Sequence, residues 1–293
     1  MTNLKLVFLV VLSAFFIASC TTDEETPTTD TFTLDISGLE DLGDDYAYEG
    51  WLIVDGSPVS AGIFNVDANG ELSATSFEVD VADLENATAY VLTIEPSPDN
   101  DPAPSSVHIL AGDFSGDAAA ITVDHASAIG TNFTTSTGEF ILATPTDGSM
   151  TTDELSGVWW LNPSGPEASL DLPTLPEGWK YEGWAVIDGT PVSTGTFTSV
   201  SGSDDAAPFS GTTAGPAYPG EDFLMNAPTG LTFPTDLTGG TIVISVEPSP
   251  DNSAAPFLLK PLVGTVPTGA TDRTLYGMNN NAMNTNPTGT VTK

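Results

Sequence analysis

Short apolar runs of four to eight residues alternate with turn residues through most of the chain. The runs are rich in Val, Ile, Phe, Tyr, Trp and Thr, and the separators are rich in Gly, Pro, Asp and Asn. No stretch keeps a helical period for three turns, so the pattern is typical of β-strands joined by short turns. In the first half of the chain it predicts strands at residues 51–54, 59–64, 89–95, 107–111, 119–123 and 139–143.

The strand pattern occurs twice, and the two copies share sequence. Residues 48–64 return 133 positions later as residues 181–197, and residues 94–100 return 152 positions later as residues 246–252. The additional 19 positions fall in the Gly-, Pro- and Asp-rich segment 199–228, which we interpret as an elongated loop. The chain therefore contains a tandem duplication with one insertion in the second copy.

The ends of the copies match as well, because residues 137–140 (TGEF) resemble residues 288–291 (TGTV). Each copy has the length of an ordinary domain and is able to bury its own core. We therefore predict an all-β fold with two tandem antiparallel β domains, each a sandwich or barrel, at residues 31–148 and 149–293.

The first 19 residues have the layout of a secretory signal peptide. Lys5 precedes an apolar run from Leu6 to Ile17, which is shorter than the about 20 residues that a membrane-spanning helix needs. The run ends in Ile17-Ala18-Ser19-Cys20, which resembles the lipobox of bacterial lipoproteins, and Cys20 is the only cysteine of the chain. We predict cleavage after residue 19, lipid attachment at Cys20 and therefore a membrane as a partner; an ordinary signal peptide is the alternative.

Residues 21–30 consist of Thr, Asp, Glu and Pro only, which predicts a flexible acidic tether over residues 20–30. The triplet Asp23-Glu24-Glu25 resembles the signal that sends lipoproteins of the Bacteroidota to the outer face of the outer membrane, and a solvated linker is the other interpretation. We expect the protein in the cell envelope, lipid-anchored at the outer membrane, on its surface-exposed or its periplasmic face.

The chain is strongly acidic, with 5 Lys or Arg against 40 Asp or Glu and a formal net charge of −35. Removal of residues 1–19 takes away Lys5 and no acid, so the mature chain carries −36. Such a chain lacks the cations that neutralise phosphates, which excludes nucleic acid as a partner. The acids are spread through loops, which favours a solubilising surface, with calcium binding as the alternative.

No sequence motif of a nucleophilic, phosphate-binding or dinucleotide-binding site is present. His108 and His125 lack the spacing of a zinc site, and we predict structural roles for both. We therefore predict a protein without enzyme activity, cofactor or bound metal.

Four acidic positions recur in both copies and are the polar positions that a shared site would use. We interpret them mainly as turn and structural residues, with a carboxylate pair for glycoside hydrolysis as the alternative. The pairs are Glu49 with Glu182, Asp55 with Asp188, Glu95 with Glu247, and Asp99 with Asp251.

Tryptophan recurs too. Trp51 and Trp184 occupy the same strand position, which predicts core packing. Trp159 and Trp160 are adjacent on one predicted strand, so they must point to opposite faces. The outward one either packs between the domains or offers a stacking platform for a sugar or a peptide.

The repeated blocks read Tyr-Glu-Gly-Trp, then Asp-Gly, Pro-Val-Ser and Gly-x-Phe, with a later strand that ends in Glu-Pro. This pattern resembles the extracytoplasmic C-terminal domain of anti-sigma-K factors. The match is carried by Tyr48, Trp51, Ser60, Gly62, Phe64, Glu95 and Pro96 in the first copy and by Tyr181, Trp184, Ser193, Gly195, Phe197, Glu247 and Pro248 in the second.

The resemblance implies a β domain that works outside the cytoplasm. Anti-sigma factors of this family also have a cytosolic sigma-binding domain and a membrane helix, and we expect neither in this chain. The sequence thus predicts a non-enzymatic cell-envelope lipoprotein that binds an unidentified extracytoplasmic protein or glycan, or has a structural role. The alternatives are an envelope sensor or regulator linked to an anti-sigma system, and a calcium-dependent carbohydrate or adhesion module.

Overall fold

The computed structural model describes residues 28–148, 152–165, 167–251 and 253–293. These residues are almost entirely β, which confirms the predicted all-β class. The signal peptide, Cys20 and most of the tether lie outside the described residues, so the predictions about them stand as predictions. The first strand begins at Thr29, inside the segment predicted as tether, because Thr29 and Asp30 pair with Asp80 and Val79 of a strand that the pattern did not predict.

The first copy contributes eight strands and one short helix. All six strands predicted in this part are present, and β1, β4 and α1 are additional. The elements are β1 (Thr29–Ser37), β2 (Tyr46–Val54), β3 (Ser57–Phe64), β4 (Ser76–Asp80), α1 (Val81–Asn86), β5 (Ala87–Pro96), β6 (His108–Asp113), β7 (Ala118–Thr122) and β8 (Thr137–Leu142).

The second copy has three long strands and many short ones. Its elements are β9 (Gly157–Trp159), β10 (Leu161–Asn162), β11 (Glu167–Ala168), β12 (Leu170–Asp171), β13 (Trp179–Ile187), β14 (Thr190–Phe197), β15 (Gly220–Asp222), β16 (Thr241–Pro248), β17 (Leu262–Thr265), β18 (Tyr276–Gly277), β19 (Asn279–Asn280), α2 (Ala282–Thr285) and β20 (Thr288–Thr292).

The largest sheet has eight antiparallel strands in the order β3-β2-β5-β6-β7-β20-β1-β4. Its two edge strands approach each other, since the ring of Phe77 on β4 occupies the space where a side chain at Gly62 on β3 would lie. The sheet is therefore a nearly closed barrel. The second copy forms the sheets β14-β13-β16-β17-β19 and β12-β8-β9-β15, with β18 also paired to β8 and with a separate pair, β10-β11.

The last strand of each copy pairs with strands of the other copy. Strand β20, at the end of the second copy, lies between β7 and β1 of the first, and Val291 pairs with Leu34 on one side and Ala119 on the other. Strand β8, at the end of the first copy, pairs with β9, β12 and β18 of the second. These are the two strands that share the TGEF and TGTV sequences. The sheets therefore cross the boundary that the sequence predicted after residue 148.

A glycine at the same position of each exchanged strand permits this close packing. A Cβ atom at Gly289 of β20 would lie 2.8 Å from the Asp35 carbonyl oxygen and from Ile36 Cγ1. A Cβ atom at Gly138 of β8 would lie 2.7 Å from Leu170 Cδ2 and 2.8 Å from Leu262 Cδ1. A larger residue at Gly289 would meet the backbone of β1 and overpack this contact, whereas at Gly138 the leucine side chains would have to move.

The exchange joins the two copies around one continuous hydrophobic core. The ring of Phe133 from the first copy meets Tyr181 of the second edge-on, with centroids 6.5 Å apart. The indole Nε1 of Trp179 donates to the His108 carbonyl at 3.2 Å, and the Asn280 amide donates to the Phe133 carbonyl at 2.8 Å. The two copies are thus packed together and share partly buried hydrogen bonds.

We expect Gly289→Ala to lower the free energy of unfolding by about 1–3 kcal/mol, because the added Cβ overpacks the contact with β1. Urea unfolding followed by tryptophan fluorescence measures the change, and the shared core predicts one transition for both copies. Gly277→Ala is the matched control, since Gly277 lies on a strand with open space around it. Equal destabilisation by both substitutions would contradict the packing role of Gly289.

Candidate functional site

Two of the four repeated acidic pairs, Glu49 with Glu182 and Glu95 with Glu247, make the same hydrogen bonds in each copy, and these bonds are called the network below. In the first copy the Ser60 hydroxyl donates to the Glu49 carboxylate. Trp51 Nε1 donates to Thr93 Oγ1 at 2.8 Å, and the Thr93 hydroxyl donates to the Glu95 carboxylate. Glu95 also accepts the backbone N–H of Ser105, at 2.9 and 3.1 Å from its two oxygens, and so fixes the loop that leads into β6.

The second copy repeats each of these contacts. The Ser193 hydroxyl donates to Glu182, Trp184 Nε1 donates to Ser245 Oγ at 2.7 Å, and the Ser245 hydroxyl donates to Glu247. Glu247 accepts the backbone N–H of Phe257 at 2.9 and 3.2 Å. The polar residues that recur in the duplication therefore bond to one another in the same pairs in both copies.

Strand alternation explains where the network lies. Tyr48 and Leu52 of β2 point into the main core, so Glu49 and Trp51 point to the other face of the sheet. Trp51 is buried there against Val91, Ala111 and Ala128, in a small cluster of its own. The predicted burial of Trp51 is correct, but it packs outside the main core.

A bulge in the repeated hairpin places Ser60 opposite Trp51. Gly50 pairs with Gly62, and the next pair is Trp51 with Ser60, which leaves Ala61 as the extra residue. Gly62 has a φ of 127°, a conformation that favours glycine. The second copy has the same irregularity between β13 and β14, with Thr194 as the extra residue.

The glutamates of the network are shielded from solvent, with exposed fractions of 5% for Glu49, 3% for Glu95, 4% for Glu182 and 0% for Glu247. Burial raises the pKa of Glu182 to about 7 and that of Glu247 to about 8, and it also raises the pKa of Glu49. Hydrogen bonds from Ser193 and Ser245 oppose the shift at the two second-copy carboxyls. Of these four carboxyl groups, those of Glu95 and Glu247 hold neighbouring loops in place through the N–H groups of Ser105 and Phe257.

The other two pairs of repeated acids lie in turns. Asp55 and Gly56, like Asp188 and Gly189, have positive φ angles, as a two-residue hairpin turn requires. Asp99 accepts the backbone N–H of Asp101, and Asp251 accepts that of Ser253. These four aspartates shape the backbone locally.

Both histidines make local contacts in the first copy. His108 Nδ1 lies 2.9 Å from the Ser127 carbonyl oxygen, and His125 Nε2 lies 3.5 Å from an Asp113 carboxylate oxygen. Within the described ranges, no group of three or more His, Cys, Asp or Glu residues is placed to hold a metal ion. The same residues include no helix with the length and apolar character of a membrane span.

A second acidic cluster lies under the insertion and has no counterpart in the first copy. Trp160 points into the main core, whereas Trp159 points the other way and packs with Ile141, Ala143 and Leu161. The Trp159 Nε1 donates to the Asp222 carboxylate at 2.7 Å. Trp159 is only 4% exposed, so the outward tryptophan is covered by its own chain.

The covering chain is segment 199–228. A Cβ atom at Gly215 would lie 2.8 Å from Trp159 Cη2, and one at Gly220 would lie 2.6 Å from Cδ2, so both glycines allow the backbone to rest on the indole. The segment is anchored by Glu221, which accepts from Ser210 and from the Phe209 N–H, and by Asp222, which accepts from Thr146.

Burial raises the pKa of Glu221 to about 7 and also raises the pKa of Asp222.

Segment 199–228 and Trp159 together line a cavity of about 380 Å³, hereafter the insertion cavity. Its walls include Trp159, Asp204, Asp205, Thr213, Ala214 and Tyr218. The sequence indicated the insertion itself, but a non-repeated loop gave no pattern from which these contacts follow.

We expect Glu247→Gln to make the stability of the protein less dependent on pH. A carboxyl whose folded pKa is raised to about 8 binds more protons when folded than when unfolded between its ordinary range and pH 8. The wild-type free energy of unfolding therefore falls as pH rises through this window. The variant does not show this decrease, because glutamine does not ionise. At pH 8.5 the variant should exceed the wild type by at least about 1 kcal/mol, because one pKa unit corresponds to about 1.4 kcal/mol.

Urea unfolding at pH 5 and pH 8.5 measures the difference. Glu78→Gln on β4 is the matched control, since Glu78 is exposed. A variant with the same pH slope as the wild type would show that ionisation of Glu247 does not oppose folding.

Comparison with known proteins found a family model that matches part of the first copy. No curated protein and no solved structure matched the chain in the corresponding searches. Residues 22–109 match the family model described as "Anti-sigma-K factor rskA, C-terminal", which is less than a third of the chain. The matched segment contains both sequence blocks of the first copy, and it confirms the predicted resemblance to the C-terminal domain of anti-sigma-K factors.

Proposed function

We propose that this protein is a non-enzymatic lipoprotein of the cell envelope, held to the outer membrane by lipid on Cys20, whose duplicated β domains bind an extracytoplasmic protein or glycan. The observation that carries the proposal is the sequence Ile17-Ala18-Ser19-Cys20 at the end of an apolar run, with no second cysteine in the chain. One acyl chain anchors a protein only marginally, and the two or three of a bacterial lipoprotein are sufficient.

The buried networks support a role without catalysis. The glutamates that recur in both copies are at most 5% exposed, and Glu95 and Glu247 are bonded to the backbone of neighbouring loops. A glycoside-hydrolysing pair would instead flank a cleft that admits a sugar and a water molecule. Substrate turnover that Glu49→Gln or Glu182→Gln abolishes would overturn this part of the proposal.

The charge of the chain also bears on its partners. Each of the four cationic side chains after residue 19 contacts the protein itself or is buried near acids: Lys180 with Asp205, Arg273 with Glu154, Lys260 beside Glu40 and Glu247, and Lys293 on the Ala87 carbonyl and the Phe114 ring. The surface is therefore dominated by carboxylates, which disfavours nucleic acid and anionic lipid as direct partners.

A Cys20→Ala variant tests the anchor. We expect a fatty-acid probe to label the wild type in cells and not the variant, and the variant to appear in the soluble envelope fraction. Thr21→Ala is the control, since it lies beside the cysteine and retains it. An unlabelled wild type would overturn the lipoprotein assignment.

Protease treatment of intact cells then separates the two membrane faces. Digestion of the anchored protein on whole cells places it on the cell surface. Protection until the outer membrane is opened places it on the periplasmic face.

The family match favours a second candidate, an envelope sensor or regulator linked to an anti-sigma system. Under this proposal the β domains would detect an extracytoplasmic signal and act through a membrane-spanning partner. Deletion of the gene should change the transcripts of one sigma-factor regulon, and reintroduction of the wild-type chain should restore them. An unchanged transcript profile under envelope stress would count against this role.

A further inference from the structure

The insertion cavity is a preformed feature lined mainly by segment 199–228, the insertion of the second copy. The segment above it has little regular structure, yet Glu221 and Asp222 are 0% exposed and hold it through Ser210, Thr146 and the Trp159 indole. Burying two carboxyl groups is costly unless their oxygens are hydrogen-bonded, and here both groups accept hydrogen bonds from the residues that they hold. This arrangement fixes the loop over Trp159 before any ligand arrives.

The charge inside the cavity is low despite two aspartates in its wall. Asp205 is neutralised by Lys180, whose ammonium lies 2.5 Å from the Asp205 carboxylate, and it also accepts from Thr196. Asp204 accepts the Gly220 N–H at 2.9 Å, and burial raises its pKa to about 7. No Lys or Arg side chain is among the lining residues, so the cavity does not offer what an anion requires.

The remaining lining groups suit a ligand with many hydroxyl groups. Ser203 and Thr213 add hydroxyls to the carboxyl of Asp204, and hydroxyls both donate and accept hydrogen bonds. Tyr218 is half-buried and adds aromatic surface to the wall. A volume of about 380 Å³ lies within the usual range of small-molecule sites.

We infer that the insertion cavity binds a neutral saccharide of one or two sugar units, held by the Asp204 carboxyl and the hydroxyls of Ser203 and Thr213 beside the Tyr218 side chain. The inference deepens the proposed function, because it rests on an extracytoplasmic glycan partner and assigns that partner a site. It also differs from the calcium-dependent alternative, since no group placed to hold a metal ion was found among the described residues.

The test uses the mature chain with Cys20→Ala, which keeps both copies and releases them from the membrane. Saturation-transfer-difference NMR is recorded with glucose, galactose, mannose, xylose, N-acetylglucosamine and their common disaccharides as probes, in the presence of EDTA. Putrescine is the cationic probe. We expect at least one neutral sugar to bind and putrescine to give no signal.

Two matched substitutions then locate the site. Ala214 and Ala217 are both exposed alanines of the insertion, but only Ala214 lines the cavity. Ala214→Trp should weaken sugar binding at least tenfold, whereas Ala217→Trp should leave it within twofold of the wild type. Thr213→Val is a second variant at an exposed position; it removes a hydroxyl with little change of shape and should also weaken binding.

The inference is overturned if none of the neutral sugars binds, if putrescine binds instead, or if Ala214→Trp and Ala217→Trp bind alike while both remain folded. Failure of the proposed function has a separate readout, the absence of fatty-acid labelling at Cys20, and that result does not depend on sugar binding.

Discussion

The placement of β20 between β7 and β1 is the constraint on which the rest of the structure depends. Without it the eight-stranded sheet would divide into β3-β2-β5-β6-β7 and the pair β1-β4, and both parts would expose unpaired strand edges. Val291 is fully buried in this strand, and Gly289 allows it to lie against β1. The reciprocal position of β8 in the second copy completes the arrangement, so neither copy has a complete set of strands from its own sequence.

The repeated motif is mainly a fold-forming element. Its tyrosine is buried and donates to a backbone carbonyl eight residues earlier, Tyr48 to Glu40 and Tyr181 to Pro173. Its first glycine leaves room for an aromatic side chain, the Tyr90 hydroxyl over Gly50 and the Trp160 ring over Gly183. The similarity to the anti-sigma-K domain family therefore reflects the packing of a β-hairpin on its neighbours. It does not by itself identify what the protein recognises.

The strands with strong apolar patterns could be predicted from the sequence, and the strand partners could not. The duplicated blocks predict β2, β3 and β5 and their second-copy equivalents, because Asp-Gly hairpin turns and alternating side chains are local features of the sequence. The partner of β8 is set by packing over a long sequence separation, which periodicity does not encode. The composition of residues 20–30 predicts a tether because Thr29 and Asp30 are polar, and these two residues form a strand only through backbone pairing with β4.

The candidate site divides in the same way. The repeat identifies Glu49, Glu95 and their second-copy equivalents as candidate residues. A repeat does not show that their side chains are buried on the face of the sheet that points away from the main core. Asp204, Glu221 and Asp222 occur once and stand among many acids, so nothing in their spacing distinguished them. Their positions follow from the route of the insertion over Trp159, which depends on glycines at 215 and 220.

The strand exchange also sets an order of events for a chain that is synthesised from its N-terminus. Strands β1 and β7 are made early, and β20 is made after nearly all of the second copy. The slot between β1 and β7 therefore stays empty until β20 has been synthesised, and a truncated chain keeps two open strand edges. Completion of the eight-stranded sheet thus depends on the end of the second copy, and truncated chains would present those edges to proteases and to other chains.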